Sequence, residues 1–289
     1  MAATGWSKKQ TKGKKEKVRV KVLDRRGGIF LLGTTDSGKS TLARHLLHEL
    51  AGRRQIAALI DADIGQSALG LPGTVAMKIF RTPEALEPYR YELISFLGSA
   101  SPVHVMPLLI EETGRMADAA RAAAEIILID TTGLVGGTVG RALKLGKIRR
   151  VRPALIIAIQ RHNELEHIIA GLDDVPVRLL KPSPLAANRS QNARAGYRRR
   201  RLADYFAAAA PGEFLLTLRD ATFIYRNRPV NLREARVAAG TVIGLNHDGE
   251  TLGLGVIDES DDASVTFRSP LSRLRGINRV VLGDFTLFN

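Results

Sequence analysis

Short apolar runs alternate with longer, mixed segments over the first two thirds of the chain. The runs hold few polar residues: GGIFLLG, QIAALIDAD, YELISFLGS, EIILIDTTG, PALIIAIQR and VPVRLL. Runs this short favour strands that are buried on both faces of a parallel sheet. The segments between them carry apolar residues at helical spacing: STLARHLLHELAG, EETGRMADAARAAA, TVGRALKLGKIRR and NELEHIIAGL. Strands that alternate with helices predict an α/β fold with a doubly wound, mostly parallel sheet.

The pattern changes after about Pro211. The segments that follow are short, rich in β-formers and separated by Gly, Asp and Asn: FLLTL, TFIYR, GTVIGLN, TLGLGVI, SVTFR and VVLGDFTLF. They predict a small β-rich C-terminal domain over 211–289, after a linker at FAAAAPG. We expect the main domain to cover 18–210, and we interpret SALGLPGTVAM within it as a loop that turns at Pro72 and Gly73.

Positive charge is concentrated in three segments of this 289-residue chain, whose net charge is +14. Residues 8–21 hold eight Lys or Arg and one Glu, residues 141–152 hold six Lys or Arg, and residues 189–201 hold six Arg. Such clustering is typical of a polyanion partner, most plausibly nucleic acid, although solvated basic faces are the alternative. The first 17 residues have almost no apolar content and predict a basic, disordered arm.

Other classes of protein are disfavoured by what the sequence lacks. There is no cysteine, hence no disulfide and no thiolate metal site, which fits a reducing compartment. No apolar segment approaches the ~20 residues of a membrane helix, and the N-terminus has no signal-peptide core. We therefore expect a cytoplasmic protein without a membrane partner. The six histidines show no metal-ligand spacing of the H-E-x-x-H kind.

The stretch GTTDSGKST fits G-x-x-x-x-G-K-[ST], and it lies between a predicted strand and a predicted helix, as this motif requires. Its backbone N–H groups can hold the phosphates of a nucleotide, Lys39 can reach the β- and γ-phosphate oxygens, and Ser40 can ligate Mg²⁺. The predicted nucleotide-binding residues are Gly33, Thr34, Thr35, Asp36, Ser37, Gly38, Lys39, Ser40 and Thr41. An N-K-x-D motif for guanine is absent, which weakens a GTPase interpretation.

Two acids end the next predicted strand. Asp61 and Asp63 are two residues apart, so their side chains share a face near the metal and the γ-phosphate. One can orient the ligands of the metal, and the other, which we take to be Asp63, can accept a proton from an attacking hydroxyl. Asp130 ends another predicted strand. It is a second candidate for the metal or the γ-phosphate, with a simple turn residue as the open alternative.

Arginines suited to phosphate follow in RSQNARAGYRRRRLADYF. If this segment is helical, Arg194, Arg198 and Arg201 form one basic stripe at spacings of four and three residues. An exposed basic helix without a ligand is the equal alternative.

At this point the motifs resemble those of the polynucleotide 5′-hydroxyl kinase family, which includes the kinase subunit of the eukaryotic pre-mRNA cleavage machinery, the pre-rRNA-processing kinase and archaeal RNA kinases. The P-loop with its internal Asp36 is similar to the family's version, as is DADIGQSALGLPGT with its acids, Gly-Gln and Pro-Gly. TTGLVGG resembles the family's clasp, AIQRHNEL the strand after it, RSQNARAGYRRRRLADYF the arginine lid, and GTVIGLNHDGETLGLGVID the C-terminal domain. The resemblance covers roughly residues 18–289.

The resemblance implies a P-loop NTPase fold and a role for each matched residue. Lys39, Ser40 and Thr41 would hold phosphate and Mg²⁺, Asp63 would activate the 5′-hydroxyl, and Asp61 and Gln66 would support them. In the lid, at 189–201, it favours Arg189 and Arg194 as the phosphate clamp, with Arg198 as a third. The remaining predicted substrate-binding residues are Pro72, Gly73, Thr74, Thr132 and Gly133.

The sequence departs from the family in two places. Leu134 stands where the clasp usually carries a Trp that stacks on a base, and Tyr197 is a possible substitute. Only the basic arm precedes the P-loop strand, so we expect a compact form without the family's N-terminal β-domain.

Residues and resemblance together predict an ATP- and Mg²⁺-dependent kinase that acts on the 5′-hydroxyl end of RNA, DNA or both. Two alternatives stay open: an adaptor that binds ATP without turning it over, and a P-loop ATPase or GTPase that switches a partner.

Overall fold

A seven-stranded sheet is built from the first two thirds of the chain, with strand order β4-β3-β2-β5-β1-β6-β7. This computed structural model describes residues 25–87, 89–184, 186, 189–207, 212–235, 237–274 and 276–287. The predicted arm at 1–17 and the proposed domain boundary at 210–211 lie outside the described residues and stay predictions.

The strands of this sheet are β1 (Gly27–Gly33), β2 (Ala57–Ala62), β3 (Thr74–Phe80), β4 (Leu93–Phe96), β5 (Ile126–Thr131), β6 (Leu155–Ile159) and β7 (Val177–Leu180). The helices are α1 (Lys39–Gly52), α2 (Met106–Arg121), α3 (Gly137–Val151), α4 (Glu166–Ile169) and α5 (Gln191–Ala207), with a 3₁₀ turn at Pro83–Leu86. Two predicted helices differ in length. The helix α2 starts earlier than predicted, where Pro107 occupies its first turn, and α4 is only one turn of NELEHIIAGL.

Alternate residues of β1 show how the sheet is covered on both faces. Ile29 and Leu31 pack with Leu46 and other residues of α1, whereas Phe30 and Leu32 pack with residues of α2 and α3. Because successive strand residues point to opposite faces, a strand between two helical layers must be apolar throughout. The predicted doubly wound, mostly parallel sheet is confirmed.

One predicted loop is wrong in its second half. From Thr74 the chain is not loop but β3, which pairs antiparallel with β2 and β4 at the edge of the sheet. Pro72 and Gly73 make the expected turn, and Gly73 has a φ of 79°. The short run TVAMKIF was overlooked because Lys78 interrupts it, yet all seven residues are buried.

The last part of the chain forms a second seven-stranded sheet, of order β10-β9-β14-β11-β12-β13-β8. Its strands are β8 (Gly212–Thr217), β9 (Thr222–Tyr225), β10 (Arg228–Pro229), β11 (Thr241–His247), β12 (Glu250–Ser260), β13 (Ser264–Ser269) and β14 (Arg279–Thr286), with α6 (Leu232–Ala235) between β10 and β11. All pairs are antiparallel except β14 with β9. The six predicted β segments are all strands here.

Phe96 joins the two sheets. Its N–H donates to Thr251 Oγ1 at 3.0 Å, and its ring lies against Gly244. A Cβ on Gly244 would come within 2.6 Å of that ring, so only glycine allows the approach. No helix in the described part of the chain is long and apolar enough to cross a bilayer.

Candidate functional site

The glycine-rich loop joins β1 to α1 and leaves the start of that helix open. Gly38, just before the helix, has a φ of 96°, Asp36 has a φ of 57°, and no side chain caps the helix. Lys39 is buried, and its Nζ donates to the carbonyl oxygens of Gly33 at 3.1 Å and Thr34 at 2.7 Å. Uncapped N–H groups at a helix N-terminus, with an ammonium beside them, form an anion site.

Burial and neighbouring acids act in opposite directions on this lysine. Burial lowers the pKa of Lys39, and the charges of Asp130, Asp63 and Asp36 raise it again, with a net lowering. The three carboxylates that face it come from the loop itself and from two adjacent strands. A cation enclosed by acids and by an open helix terminus is arranged to meet the charge of a phosphate and its counter-ion.

Asp130 lies on β5 in register with Asp61 on β2. It is buried, and burial together with the nearby Asp61 raises its pKa to about 7, against the opposing effects of Lys39 and of a hydrogen bond with Ser40. Its Oδ1 has no hydrogen-bond partner among the described residues. The alternative of a turn residue is wrong, because Asp130 belongs to a central strand and contacts the hydroxyl at the start of α1.

The two acids of DADIGQ differ in their surroundings. Asp61 is buried, and its oxygens accept from Ser67 Oγ and from the N–H groups of Asp63, Ala68 and Leu69. Burial raises its pKa, despite these hydrogen bonds. Its predicted role as a metal ligand would require some of these bonds to be exchanged, so the geometry favours Asp61 as the organiser of the loop.

Asp63 is half-buried and less fully engaged. Its Oδ1 accepts from the N–H groups of Gly65 and Gln66 at 3.2 and 3.1 Å. Its Oδ2 makes no hydrogen bond within the described ranges of the chain. A carboxylate held by one oxygen, with the other available, can accept a proton or bind a metal.

The arginine segment is a helix, α5, as expected, and its first turns lie on the P-loop. Arg194 Nη2 and the N–H of Arg189 both donate to Asp36 Oδ2, at 2.9 and 2.8 Å. Burial would raise the pKa of Asp36, but these two hydrogen bonds and the arginine charges outweigh it, so the pKa lies below the ordinary value. The two arginines that the resemblance favoured are therefore brought together on one P-loop carboxylate.

Other residues of α5 hold it against the acidic loop. Tyr197 Oη donates to Ser67 O at 2.9 Å, Arg201 donates to Ala68 O and Gly70 O, and Gln66 Nε2 donates to Arg194 O. The guanidinium of Arg189 lies 5.9 Å from the Tyr197 ring centre. This ring is already engaged on one side, so its proposed role as a stacking platform stays a prediction.

The clasp packs directly on the P-loop. A Cβ on Gly133 would come within 2.4 Å of Thr35 backbone atoms, so glycine is required at this contact. Thr132 is buried, and its Oγ1 has no partner among the described residues. By contrast, Pro72, Gly73 and Thr74 are buried in their turn, where Thr74 Oγ1 bonds with Leu71. That burial argues against direct contact of these three residues with substrate.

Two lysines of the basic segment 141–152 were misinterpreted as part of a polyanion-binding surface. Lys144 and Lys147, on α3, are fully buried. Lys144 Nζ donates to Thr131 Oγ1 at 2.8 Å and to Thr132 O, and Lys147 Nζ donates to Ala62 O at 3.2 Å. Their ammonium groups therefore bind oxygen atoms at the carboxyl ends of β5 and β2. Their position among Leu143, Leu145 and Ile148 was the sequence signal that could have indicated this.

Buried polar atoms without a partner concentrate at this site. Of eight such side-chain atoms in the described ranges, six lie on the elements just described: Ser37 Oγ, Gln66 Oε1, Asp130 Oδ1, Thr132 Oγ1, Arg194 Nε and Arg201 Nε. Unpartnered buried polar groups cost free energy unless a ligand, ion or water completes them. The donor set of hydroxyls, carboxylates, backbone N–H groups and cations fits a nucleotide phosphate with a hard divalent cation.

The family model described as mRNA cleavage and polyadenylation factor CLP1 P-loop matches residues 33–208, from the end of β1 through α5. The chain belongs to this family. The family that the sequence motifs indicated is thereby confirmed, and the CLP1 P-loop region includes the glycine-rich loop, both acid-bearing strands, the clasp and the lid helix.

The relatives of this CLP1 P-loop chain align with only part of it. A polyribonucleotide 5′-hydroxyl-kinase from Pyrococcus furiosus is 33% identical over 202 residues, which span 68% of this chain and 56% of that protein. A protein of the same name from Methanocaldococcus jannaschii is 34% identical over 62% of this chain and 50% of its own length. A CLP1 homolog from Drosophila persimilis is 32% identical over 66% of this chain and 48% of its own length. The chain thus spans about half the length of these relatives.

The solved structure of the wild-type Clp1p–Pcf11p complex is similar in fold. The superposition has a TM-score of 0.75 and covers 94% of this chain and 76% of that chain, at 13% sequence identity. At this level of identity the likeness shows a shared fold across both sheets and nothing about ligands.

Proposed function

We propose that this protein is a kinase that transfers the γ-phosphoryl group of ATP to the 5′-hydroxyl end of a polynucleotide, with RNA as the first choice of substrate. The observation that carries the proposal is the convergence of Arg189 and Arg194 on Asp36 of the P-loop, with Asp63 and Asp130 on the neighbouring strand ends. Phosphoryl transfer needs little covalent chemistry from the protein, and it depends on positioning and on charge around the transferred group.

Each residue has a part that follows from its position. The N–H groups before and at the start of α1 hold the β-phosphate, and Lys39 leaves the loop carbonyls to bind the β- and γ-phosphate oxygens. Arg194 exchanges Asp36 for the oxygens of the transferred group, to which the planar guanidinium can bond twice. Arg189 is held beside it by its backbone N–H, and its side chain turns from the Tyr197 ring to the same oxygens. Their charge then stabilises the charge that spreads over those oxygens in the transition state.

Asp63 accepts the proton of the attacking hydroxyl through its available oxygen. Ser40, Asp130 and Asp63 are the residues that fit Mg²⁺, and Asp61 fixes the loop that carries Asp63. When bound, Mg²⁺ would neutralise charge on the β- and γ-phosphates and orient them.

Support for RNA comes from the relatives. The archaeal proteins that match this chain carry the name polyribonucleotide 5′-hydroxyl-kinase. The region that the family model matches, residues 33–208, contains every catalytic candidate named above. Arg189 and Arg194 of the lid provide cations for a polyanion. The cysteine-free sequence is consistent with work in the cytoplasm.

A second candidate is an adaptor that keeps ATP bound. The observation that favours it is Leu134, which packs against the main core cluster, so this clasp position presents no aromatic ring to a base. A P-loop ATPase or GTPase switch is a third, weaker candidate. All three bind a nucleotide at the same loop, so binding alone does not separate them.

The deciding experiment measures transfer of labelled γ-phosphate from ATP to 5′-hydroxyl RNA and DNA oligonucleotides. We expect label on RNA with the parent protein and loss of more than about 100-fold with Lys39→Ala and with Asp63→Asn. Asp174→Asn changes an exposed acid that has no part in the roles above, and as the control it should keep parental activity. ATP binding without label on any oligonucleotide would reject the kinase in favour of the adaptor, and free phosphate alone would favour the switch.

A further inference from the structure

A cavity beside the proposed catalytic site takes no part in the chemistry described so far. Its volume is 460 Å³, and it lies between the loop after β4, one side of α5 and the end of β14. Its principal lining residues are Ser101, His104, Arg198, Arg199, Asp284 and Phe285. The walls therefore come from both sheets of the molecule and from the lid helix.

Two cations in this cavity have no counter-charge. Arg198 is half-buried and Arg199 is exposed, and neither makes a hydrogen bond or an ion pair with any described residue. Asp284 is already engaged by His104, with Oδ2 and Nδ1 only 2.7 Å apart. The neighbouring lid arginines differ, because Arg194 bonds Asp36 and Arg201 bonds loop carbonyls. The cavity thus has an excess of positive charge, which favours an anion.

The cavity is connected to the catalytic acid through a short stretch of backbone. Ala100 O lies 3.3 Å from the position that a Cβ on Gly65 would take, and the N–H of Gly65 bonds Asp63. On the helix, Arg198 is one turn beyond Arg194, which bonds the P-loop. A chain whose 5′ end lay at Asp63 would have to leave the site along one of the surfaces next to it, and this one carries unpaired cations.

An aromatic ring lies in the same cavity. Phe285, on β14, is half-buried and packs edge-on against Phe96 with ring centres 6.1 Å apart. The N–H of the preceding residue, Asp284, donates to Gly98 O at 2.8 Å and fixes this end of β14 on the loop after β4. An apolar ring and two arginines that line the same cavity can bind a single-stranded nucleotide, with its base on the ring and its phosphate on the cations.

We propose that this cavity is the subsite for the nucleotide that follows the 5′-terminal nucleoside of the acceptor strand. Arg198 and Arg199 bind its phosphodiester oxygens, and the base lies against Phe285. The proposal rests on the proposed kinase function and adds that the second sheet takes part in substrate binding. Binding of the phosphate and the base at this subsite makes a polynucleotide a better acceptor than a single nucleoside.

The test compares acceptors of increasing length at saturating ATP: a nucleoside, a nucleoside 3′-monophosphate, a dinucleotide and a hexamer, each with a free 5′-hydroxyl. Arg199→Gln should raise the KM for the three phosphate-bearing acceptors about tenfold while kcat stays within a factor of two. It should also reduce the slope of log affinity against log salt for the hexamer by about 0.7. Arg200→Gln removes the same charge from the exposed face of α5, outside the cavity, and should change KM by less than twofold.

A second variant tests the base. Phe285→Leu keeps an apolar side chain against Phe96, and it should raise the KM for the dinucleotide and the hexamer about fivefold to tenfold but leave the nucleoside 3′-monophosphate unchanged. Thermal unfolding of each variant, followed by circular dichroism, checks that the fold is retained.

The possible outcomes distinguish the subsite proposal from the kinase proposal on which it rests. Parental activity with unchanged KM values in Arg199→Gln and Phe285→Leu would overturn the subsite and leave the kinase intact. A raised KM for ATP in Arg199→Gln would assign the cavity to the donor and would also overturn it. A parent protein that labels no acceptor would reject both proposals together.

Discussion

Two helices of this molecule are both rich in basic residues but have opposite roles. Both α3 and α5 carry several Lys or Arg within about four turns, and the sequence alone gives both the same interpretation, a surface for a polyanion. In the structure, α3 directs two lysines into the core beneath the acid-bearing strands, whereas α5 directs its arginines to the P-loop and to a cavity beside it. The comparison shows that charge density in a sequence does not tell which side of a helix meets the core.

The physical reason is the number of apolar residues around each charge. The helix α3 packs against both the sheet and the neighbouring helix α2, and it buries Lys144, Leu145, Lys147 and Ile148. The long lysine stems are therefore enclosed, and their ammonium groups reach oxygen atoms at the strand ends. Its Arg150 is paired with Glu111 and Asp118 of α2. The helix α5 buries only Leu202 and Phe206. Its arginines are therefore left to polar partners and to ligands.

The largest effect that tests this comparison is a loss of phosphoryl transfer on substitution of an α5 arginine. Arg194→Ala should lower phosphoryl transfer about 100- to 1,000-fold, because the guanidinium stabilises charge on the transferred group. The free energy of unfolding should change by less than about 1 kcal/mol, since the ion pair with Asp36 is partly exposed. Single-turnover kinetics and urea unfolding measure the two quantities. A large loss of stability with little loss of activity would assign α5 a structural role like that of α3.

A smaller effect, on stability and not on phosphoryl transfer, is expected for substitution of a buried α3 lysine. Lys144→Met should lower the free energy of unfolding by about 1–3 kcal/mol, because Thr131 Oγ1 and Thr132 O lose their buried donor. Arg149→Gln, at an exposed position of the same helix, should change it by less than about 0.5 kcal/mol. Urea unfolding of the two variants and the parent gives the comparison. Equal stabilities would mean that the buried lysine makes no net contribution.

The third effect concerns pH, and at any single pH step it is at most comparable to the effect of Lys144→Met. Burial lowers the pKa of Lys147 to about 7, although Asp63, Asp61 and Asp130 oppose this shift. Between pH 7 and about pH 10 the unfolded chain then binds more protons at this residue than the native protein does, so stability rises with pH by at most about 1.4 kcal/mol per unit. Lys147→Met should lack that rise.

The measurement is urea unfolding at pH 7, 8 and 9 for the parent, Lys147→Met and Arg149→Gln. Since all other titrating groups are shared, their effects cancel in the difference between parent and variant. Parallel pH profiles for the parent and Lys147→Met would show that this lysine keeps its ordinary pKa.

Much of the site could be predicted because its signals are local. The P-loop needs its glycines, lysine and hydroxyl within nine residues, between a strand and a helix, and the acid pair DADIGQ follows directly from a buried strand. The contact between Arg194 and Asp36 joins residues 158 positions apart, and only the motif resemblance indicated it. Asp130 was a candidate whose partner, Ser40, the sequence did not identify.

The sequence by itself determined the α/β alternation, the nucleotide loop, the family and the β-rich character of the last segment, since each depends on periodicity or on residues close together in the chain. Tertiary structure decided the rest: that Lys144 and Lys147 face inward, that Asp61 organises a loop, and that residues of β14 meet α5 in a shared cavity. Such features depend on which elements pack together. Their energies come from burial and pairing between distant residues, which a local pattern does not contain.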